Sequence, residues 1–296
     1  MNNVNINQFI KAAAHIRKLT ISSIAAAGYG HIGGSMSICE VLAVLYEGVM
    51  NVDPGNPQKE DRDWLVLSKG HCGPALYSAL AYKGYFDIEL LNTLNQNGTS
   101  LPSHCDRLKT PGIDLSTGSL GQGISLGIGA ALGNKMKGLD NYVYIIIGDG
   151  ELQEGQVWEG IQFAAHRKLD NMILIVDCNK RQLDGYTNDI CSTFDLGVKF
   201  SAFGFEVQKA DGKDCGDIYR ALMDSKQISK SIGKPTVVLL DTQKGQGCSF
   251  AEIASFNHYM VVTEAMAEEA ICEVERRLQK ALEKEQTDIE KEGQGR

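Results

Sequence analysis

No stretch of this sequence is continuously apolar for long enough to cross a bilayer, so no membrane span is expected. Met1 to Gln8 is polar and rich in Asn, with no basic segment leading into an apolar one, so no secretory signal is expected either. Lys and Arg never cluster densely and the net charge is -8, which argues against nucleic acid and anionic membranes as partners. None of the eight cysteines (Cys39, Cys72, Cys105, Cys178, Cys191, Cys215, Cys248, Cys272) falls in a C-x-x-C pair. A zinc site is therefore not expected, and the thiols read as reduced and cytoplasmic. A P-loop is missing too, because Gly233-Lys234-Pro235 has neither the glycine spacing nor the hydroxyl. Internal repeats and linkers are absent.

What is present suffices for a packed core. Hydrophobic residues make up 43% and charged residues 22% of the 296 positions, the balance of a globular α/β chain. Apolar spacing predicts helices over 5–27, 36–50, 73–83, 87–95, 122–137, 155–167, 214–230 and 262–284. Apolar runs predict strands at 64–67, 142–147, 172–176, 204–208 and 236–241. Residues 96–121 read as a long loop, punctuated by Gly98, Pro102, Pro111, Gly112, Gly118 and Gly121, and a loop of that length points to function. Strands alternating with helices, apolar throughout, predict one domain over 1–284 built on a mostly parallel sheet covered on both faces, with a polar, frayed tail over 285–296.

Ligands of such sheets bind outside the carboxyl ends of the strands. Gly148-Asp149-Gly150 stands at one strand end. Its glycines let the chain turn sharply and let phosphate oxygens approach the amides. The Asp149 carboxylate is a hard ligand suited to magnesium. About thirty residues on, the next strand end carries Asp177-Cys178-Asn179, and the Asn179 amide oxygen is a second hard ligand. Together they predict a magnesium-bridged diphosphate. Four of the six histidines sit in or near glycine- or proline-rich loops: His31, His71, His104 and, after Lys244-Gly245-Gln246-Gly247, His258. Such loops are where imidazoles do chemistry. His15 and His166 fall on predicted helices and read as structural. The string Gly28-x-Gly30-x-x-Gly33 matches a dinucleotide fingerprint, but a helix precedes it where a strand is required.

Gly148 to Trp158 (GDGELQEGQVW) with Asp177 to Gly185 (DCNKRQLDG) resembles the thiamine diphosphate motif of transketolases, and the similarity runs from Gly30-His31 to Asn257-His258. Specifically, it resembles the N-terminal half that forms a separate polypeptide in split transketolases. The resemblance implies a three-layer α/β/α thiamine diphosphate-binding fold. It also implies thiamine diphosphate and Mg2+ as cofactors, with Ca2+ or Mn2+ as substitutes for the metal. Asp149, Asn179 and the backbone carbonyl of Arg181 would ligate the metal. Gly150, Gly118, Ser119 and Leu120 would line the cofactor, with His71 beside it. His31 and His104 would meet substrate hydroxyls, and His258 both diphosphate and substrate. Glu154 matches a glutamate that couples the two sites of a dimer. Three positions depart from the pattern: Cys178 replaces the first Asn of the motif, Arg181 an aliphatic residue, and Tyr259 a glycine.

The implied activity is transfer of a two-carbon ketol unit from a ketose, usually phosphorylated, to an aldose, as in pentose phosphate metabolism. In the family, the glutamate that activates the cofactor and the residues that grip the sugar phosphate lie in a second α/β domain, which this chain does not contain. A cytoplasmic heterotetramer with a C-terminal partner subunit is therefore expected. Alternatives that share the cofactor are a transketolase for a sulfonated or branched sugar, deoxyxylulose-phosphate synthase, and the E1 component of a dehydrogenase. A non-catalytic scaffold is the alternative of another class.

Overall fold

In a computed structural model that describes residues 5–294 (284–294 by their backbone alone), the chain opens with α1, Ile6–Ala27, ended by Gly28 in the left-handed conformation at φ 82°. There follow β1 (Tyr29–Gly30), α2 (Ile32–Met36), α3 (Cys39–Val44), β2 (Trp64–Leu67), α4 (Gly73–Lys83), α5 (Gln122–Met136), β3 (Val143–Gly148), α6 (Gly155–His166) and β4 (Met172–Cys178). The rest comprises α7 (Thr187–Ile190), α8 (Leu196–Ala202), β5 (Glu206–Asp211), α9 (Cys215–Ile232), β6 (Thr236–Asp241), α10 (Ser249–Ile253), β7 (Met260–Val261) and α11 (Glu264–Gln294). Five strands form one parallel sheet in the order β2-β3-β4-β6-β5, while β1 and β7 make a two-stranded antiparallel pair.

Alternation along the strands builds two cores. Val143, Ile145 and Ile147 of β3 pack with Ile124, Val157 and Ile161 of α5 and α6 on one face. Tyr144 and Ile146 point the other way, into a larger core with Phe9, Leu42, Leu76 and Leu222 from α1, α3, α4 and α9. A strand apolar on both faces can only sit between two helical layers, which is why the run 142–147 carries no polar residue before the strand end.

Several boundaries differ from expectation for physical reasons. The helix expected over 36–50 is broken after Met36, where the Ser37 hydroxyl donates to the Gly34 carbonyl at 3.1 Å and to the Asp177 carboxylate at 2.6 Å. It then widens into a π-turn over Leu45–Val49, where Gly48 packs against Phe9. The stretch 87–95 contains a 3-10 helix, Ile88–Thr93. The strand expected over 204–208 runs Glu206–Asp211, because Gly204 turns left-handed at φ 89° and the Phe205 amide still donates to Phe200 of α8. Helix α8 was not foreseen, although its N-cap is visible: Asp195 accepts from the Val198 amide at 3.0 Å. The last helix passes its expected end near 284; the fraying expected for the tail falls on residues whose side chains lie outside the described residues, with 295 and 296 wholly outside. Between Leu94 and Gln122 the long loop is as expected, tied down by Tyr77 Oη to Pro102 at 2.8 Å and Thr117 Oγ1 to Leu67 at 2.7 Å.

Candidate functional site

Strands β3 and β4 end side by side, with Gly148 in register with Asp177. The chain turns after Asn179 because Lys180 adopts a left-handed φ of 66°. That turn aims the Lys180 amide at Asp149 Oδ2 (2.7 Å) and the Arg181 amide at Asn179 Oδ1 (3.1 Å). Asp149 Oδ1 accepts from the Gly150 amide at 2.9 Å. The Asn179 amide is oriented by Asp177, whose Oδ2 accepts from Nδ2 at 2.8 Å, which leaves Oδ1 on the side of the Arg181 amide. A side chain at Gly150 would come within 2.7 Å of Gln182 Cβ, so glycine lets the two turns close on each other. The expected metal ligands Asp149, Asn179 and Arg181 therefore share one small knot.

Asp149 is buried, at 4% exposure, with no Lys or Arg side chain bonded to it among the described residues. Burial, and then the neighbouring Asp177, push its carboxyl up to about 7. A buried carboxylate held only by amides, beside an amide oxygen and a backbone carbonyl, is a donor set of hard oxygens. These residues fit Mg2+.

Asp177 is the hub that sequence reasoning missed. It is fully buried, and Lys69, Ser37, Thr242 and Asn179 all donate to it. Burial opposes its charge, but Lys69 and these donors hold it below the usual carboxylate range. Lys69 also donates to the Gly34 carbonyl at 3.1 Å. A single ion pair thus joins the ends of β2 and β4 to the turn that carries His31. Glu151 is a second buried tie: it accepts from Ser68 at 2.6 Å, from the Gly121 amide at 2.9 Å and from the Gly148 amide at 3.3 Å.

The four loop histidines converge. His31 stands 5.4 Å from His71, 5.6 Å from His104 and 5.2 Å from His258, centroid to centroid, and His71 lies 4.8 Å from His258. Burial, then His104 and Lys244, push His31 down to about 4. Burial, then Lys244 and His31, push His258 down to about 3. His71 and His104 are lowered as well, chiefly by burial. All four are therefore neutral near pH 7, each able to donate from one ring nitrogen and accept at the other. His15, stacked on Tyr82, stands outside this group.

Lys244, also missed, is 5% exposed. It donates to the Gln182 carbonyl at 3.2 Å and lies 3.3 Å from His258 Nδ1. Burial and Lys69 push it down to about 8, and no carboxylate pairs with it among the described residues. A buried ammonium in that state favours an anion beside it. The glycine string expected to be a false match has a clear role. The Gly33 amide donates to the Asn257 carbonyl and its carbonyl accepts from Gly245, both at 2.9 Å, so the turn docks the loops bearing Lys244 and His258.

The remaining expected residues are spread around this knot. Gly118 lies against His104 and Gly70. Ser119 and Leu120 are exposed just before α5. Glu154 is exposed at the start of α6, against Gly121. The Arg181 side chain bonds outside the Asp149–Asn179 knot, donating to the Ala254 carbonyl at 3.0 Å and the Tyr186 hydroxyl at 2.9 Å. All eight cysteines are free. No helix among the described residues is long and apolar enough to cross a membrane.

Residues 9–279 match the family described as transketolase, thiamine diphosphate binding domain. The chain is 53% identical over 261 residues to the 6-deoxy-6-sulfo-D-fructose transketolase subunit SqwG of Clostridium sp. (strain MSTE9), which spans 88% of this chain and 94% of that protein. It is 38% identical over 269 residues to an apulose-4-phosphate transketolase subunit of Phocaeicola vulgatus, spanning 91% of this chain and 94% of that one. Its fold superposes on the transketolase from Leishmania mexicana with a TM-score of 0.83 at 30% identity, covering 93% of this chain but 41% of that longer one.

Proposed function

The chain belongs to the transketolase family, as its thiamine diphosphate binding domain, and we propose from there that it is the cofactor-anchoring subunit of a two-chain, magnesium-dependent transketolase whose ketose donor is a sulfonated sugar. The observation that carries the anchoring role is the knot in which the buried Asp149 carboxylate, bonded by backbone amides and by no Lys or Arg side chain among the described residues, sits with Asn179 and the Arg181 carbonyl. The substrate class rests on the similarity to the sulfofructose transketolase subunit, which extends over nearly the whole of both chains.

Thiamine diphosphate, when bound, supplies the electron sink for the two-carbon fragment. This chain's residues would do the rest of the work on its side of the site. Asp149, Asn179 and the Arg181 carbonyl would hold the metal, and Lys244 would face the diphosphate charge, with Gly150 leaving room beside it. His31 and His104, neutral and partly exposed, would hydrogen-bond the sugar hydroxyls and pass protons to and from them. His71 and His258 would separate those two from the anchored end, with His258 poised by Lys244. The carboxylate that activates the cofactor and the cations that grip the sugar's acidic end would come from a C-terminal partner.

Two measurements test this reading in the complex with that partner. Asp149→Ala should abolish magnesium-dependent binding of thiamine diphosphate in calorimetry, and an unchanged affinity would remove the anchor. The wild-type complex should use 6-deoxy-6-sulfo-D-fructose with a higher kcat/KM than fructose 6-phosphate. The reverse order would return the donor to the phosphorylated class.

A further inference from the structure

Two side chains at the mouth of the site have no part in the anchoring just described. The pairing of β1 with β7 sets Tyr29 against Val261 and Gly30 against Met260. Extending that register by one step puts Tyr259 opposite His31, and the rings do meet, 4.8 Å apart at 71°. The other side of Tyr259 leans on Tyr29, 5.6 Å away, and the residue remains 40% exposed. Its hydroxyl has no partner among the described residues. The ring therefore packs edge-on against His31 and keeps its remaining surface toward solvent.

The loop beneath Tyr259 is fixed from two directions. Arg181 donates to the carbonyls of Ala254 at 3.0 Å and Ser255 at 3.3 Å, and its guanidinium lies 4.6 Å over the Tyr186 ring. From the other side, Asn257 donates to the carbonyls of Ala251 at 2.8 Å and Lys244 at 3.1 Å, while its own carbonyl receives the Gly33 amide. These bonds fix the backbone from which the ring projects, so its position over His31 depends on them.

We propose that Tyr259 is a specificity-determining residue, positioned by Arg181, that walls the channel over His31 and restricts the donor to a straight-chain ketose. A ketose carrying a hydroxymethyl branch next to the bond that is cleaved meets the ring. This rests on the ketol-transfer function proposed above and deepens it. A filled apolar wall rejects one extra carbon group by roughly 10–200-fold. The residue at 181 meets the metal through its carbonyl, so its side chain is free for this second task.

The test compares kcat/KM for a straight-chain and a branched ketose donor in the assembled two-chain enzyme. Wild type should prefer the straight chain by roughly a hundredfold. Tyr259→Gly should cut that ratio at least tenfold, and Tyr259→Phe, which keeps the wall, should retain it. Arg181→Met should move the ratio the same way as Tyr259→Gly, and the double variant should add nothing further, as expected of residues acting through one another. Calorimetric binding of thiamine diphosphate with magnesium to Tyr259→Gly establishes that this variant is folded. An unchanged ratio in Tyr259→Gly overturns the proposal, and an unchanged ratio in Arg181→Met overturns the clamp. Absence of any ketol transfer by the wild-type complex is a different result, the failure of the function proposed above.

Discussion

The charged and titratable residues of the site fall into two groups with opposite chemistry. Asp149 and Asn179 offer hard oxygens, and burial raises the Asp149 carboxyl, whereas Lys244 and the histidines offer N–H donors, and burial lowers Lys244. The histidines bear a pH cost that can be read directly. The His31 folded value, about 4, lies below the 6.5 of a free imidazole, so between these the unfolded chain binds more protons than the folded one. Stability from His31 is thus fully present above pH 6.5 and is lost as pH falls toward 4. The slope of unfolding free energy against pH in that window should be shallower in His31→Asn than in wild type, by up to about 1.4 kcal/mol per pH unit. Chemical unfolding at a series of pH values checks this, and parallel curves would show that His31 is already hydrated in the folded state. Asp149 and Asn179 were legible in the sequence because each stands at the end of an apolar strand. Lys69 and Asp177 were not, because the two are 108 residues apart and neither has a local pattern that forecasts its partner. Lys244 was visible only as part of a glycine loop.

At the scale of elements, strands and long helices followed their apolar spacing closely: Trp64–Leu67, Gly73–Lys83 and Thr236–Asp241 lie where expected. The misses are places where tertiary contacts overrode local preference. The helix expected over 36–50 is interrupted after Met36, at the point where the Ser37 hydroxyl reaches across to Asp177. Helices α7 and α8 were passed over because they are short and partly exposed, with little apolar periodicity to detect. The glycine turn after α1 illustrates the same dependence on distant chain. Its glycines match a nucleotide fingerprint in spacing, yet the requirement at Gly33 is set by the Asn257 carbonyl, which a Cβ there would approach to 2.3 Å. Gly33→Ala should therefore destabilise the fold by about 1–3 kcal/mol and loosen the loop that carries His258. Gly129→Ala, on α5 with open space where its Cβ would be, should be neutral or gain up to about 1 kcal/mol from helix propensity. Urea unfolding of both variants checks the contrast, and equal effects would mean that the loop gives way to a methyl group at Gly33.

For the whole molecule, the charges that act most strongly on His31, His71 and His258 are Lys69, Lys244 and neighbouring histidines. On the reading proposed above, the acid that activates the cofactor arrives on another chain. Leu120 just before α5, Leu126 on α5 and Phe163 on α6 are 37–44% exposed. The chain also spans 41% of the Leishmania transketolase. The family was legible in the sequence through the motif Gly148 to Trp158 with Asp177 to Gly185, and the family match over residues 9–279 agrees with it. The expected outcome is that the purified chain, with thiamine diphosphate and magnesium, transfers no ketol unit from any ketose. Adding the C-terminal subunit should restore transfer, and the two chains should elute together in size-exclusion chromatography at a mass above either alone. Turnover by the purified chain would mean that a carboxylate of its own reaches the cofactor, and the two-chain reading would fall.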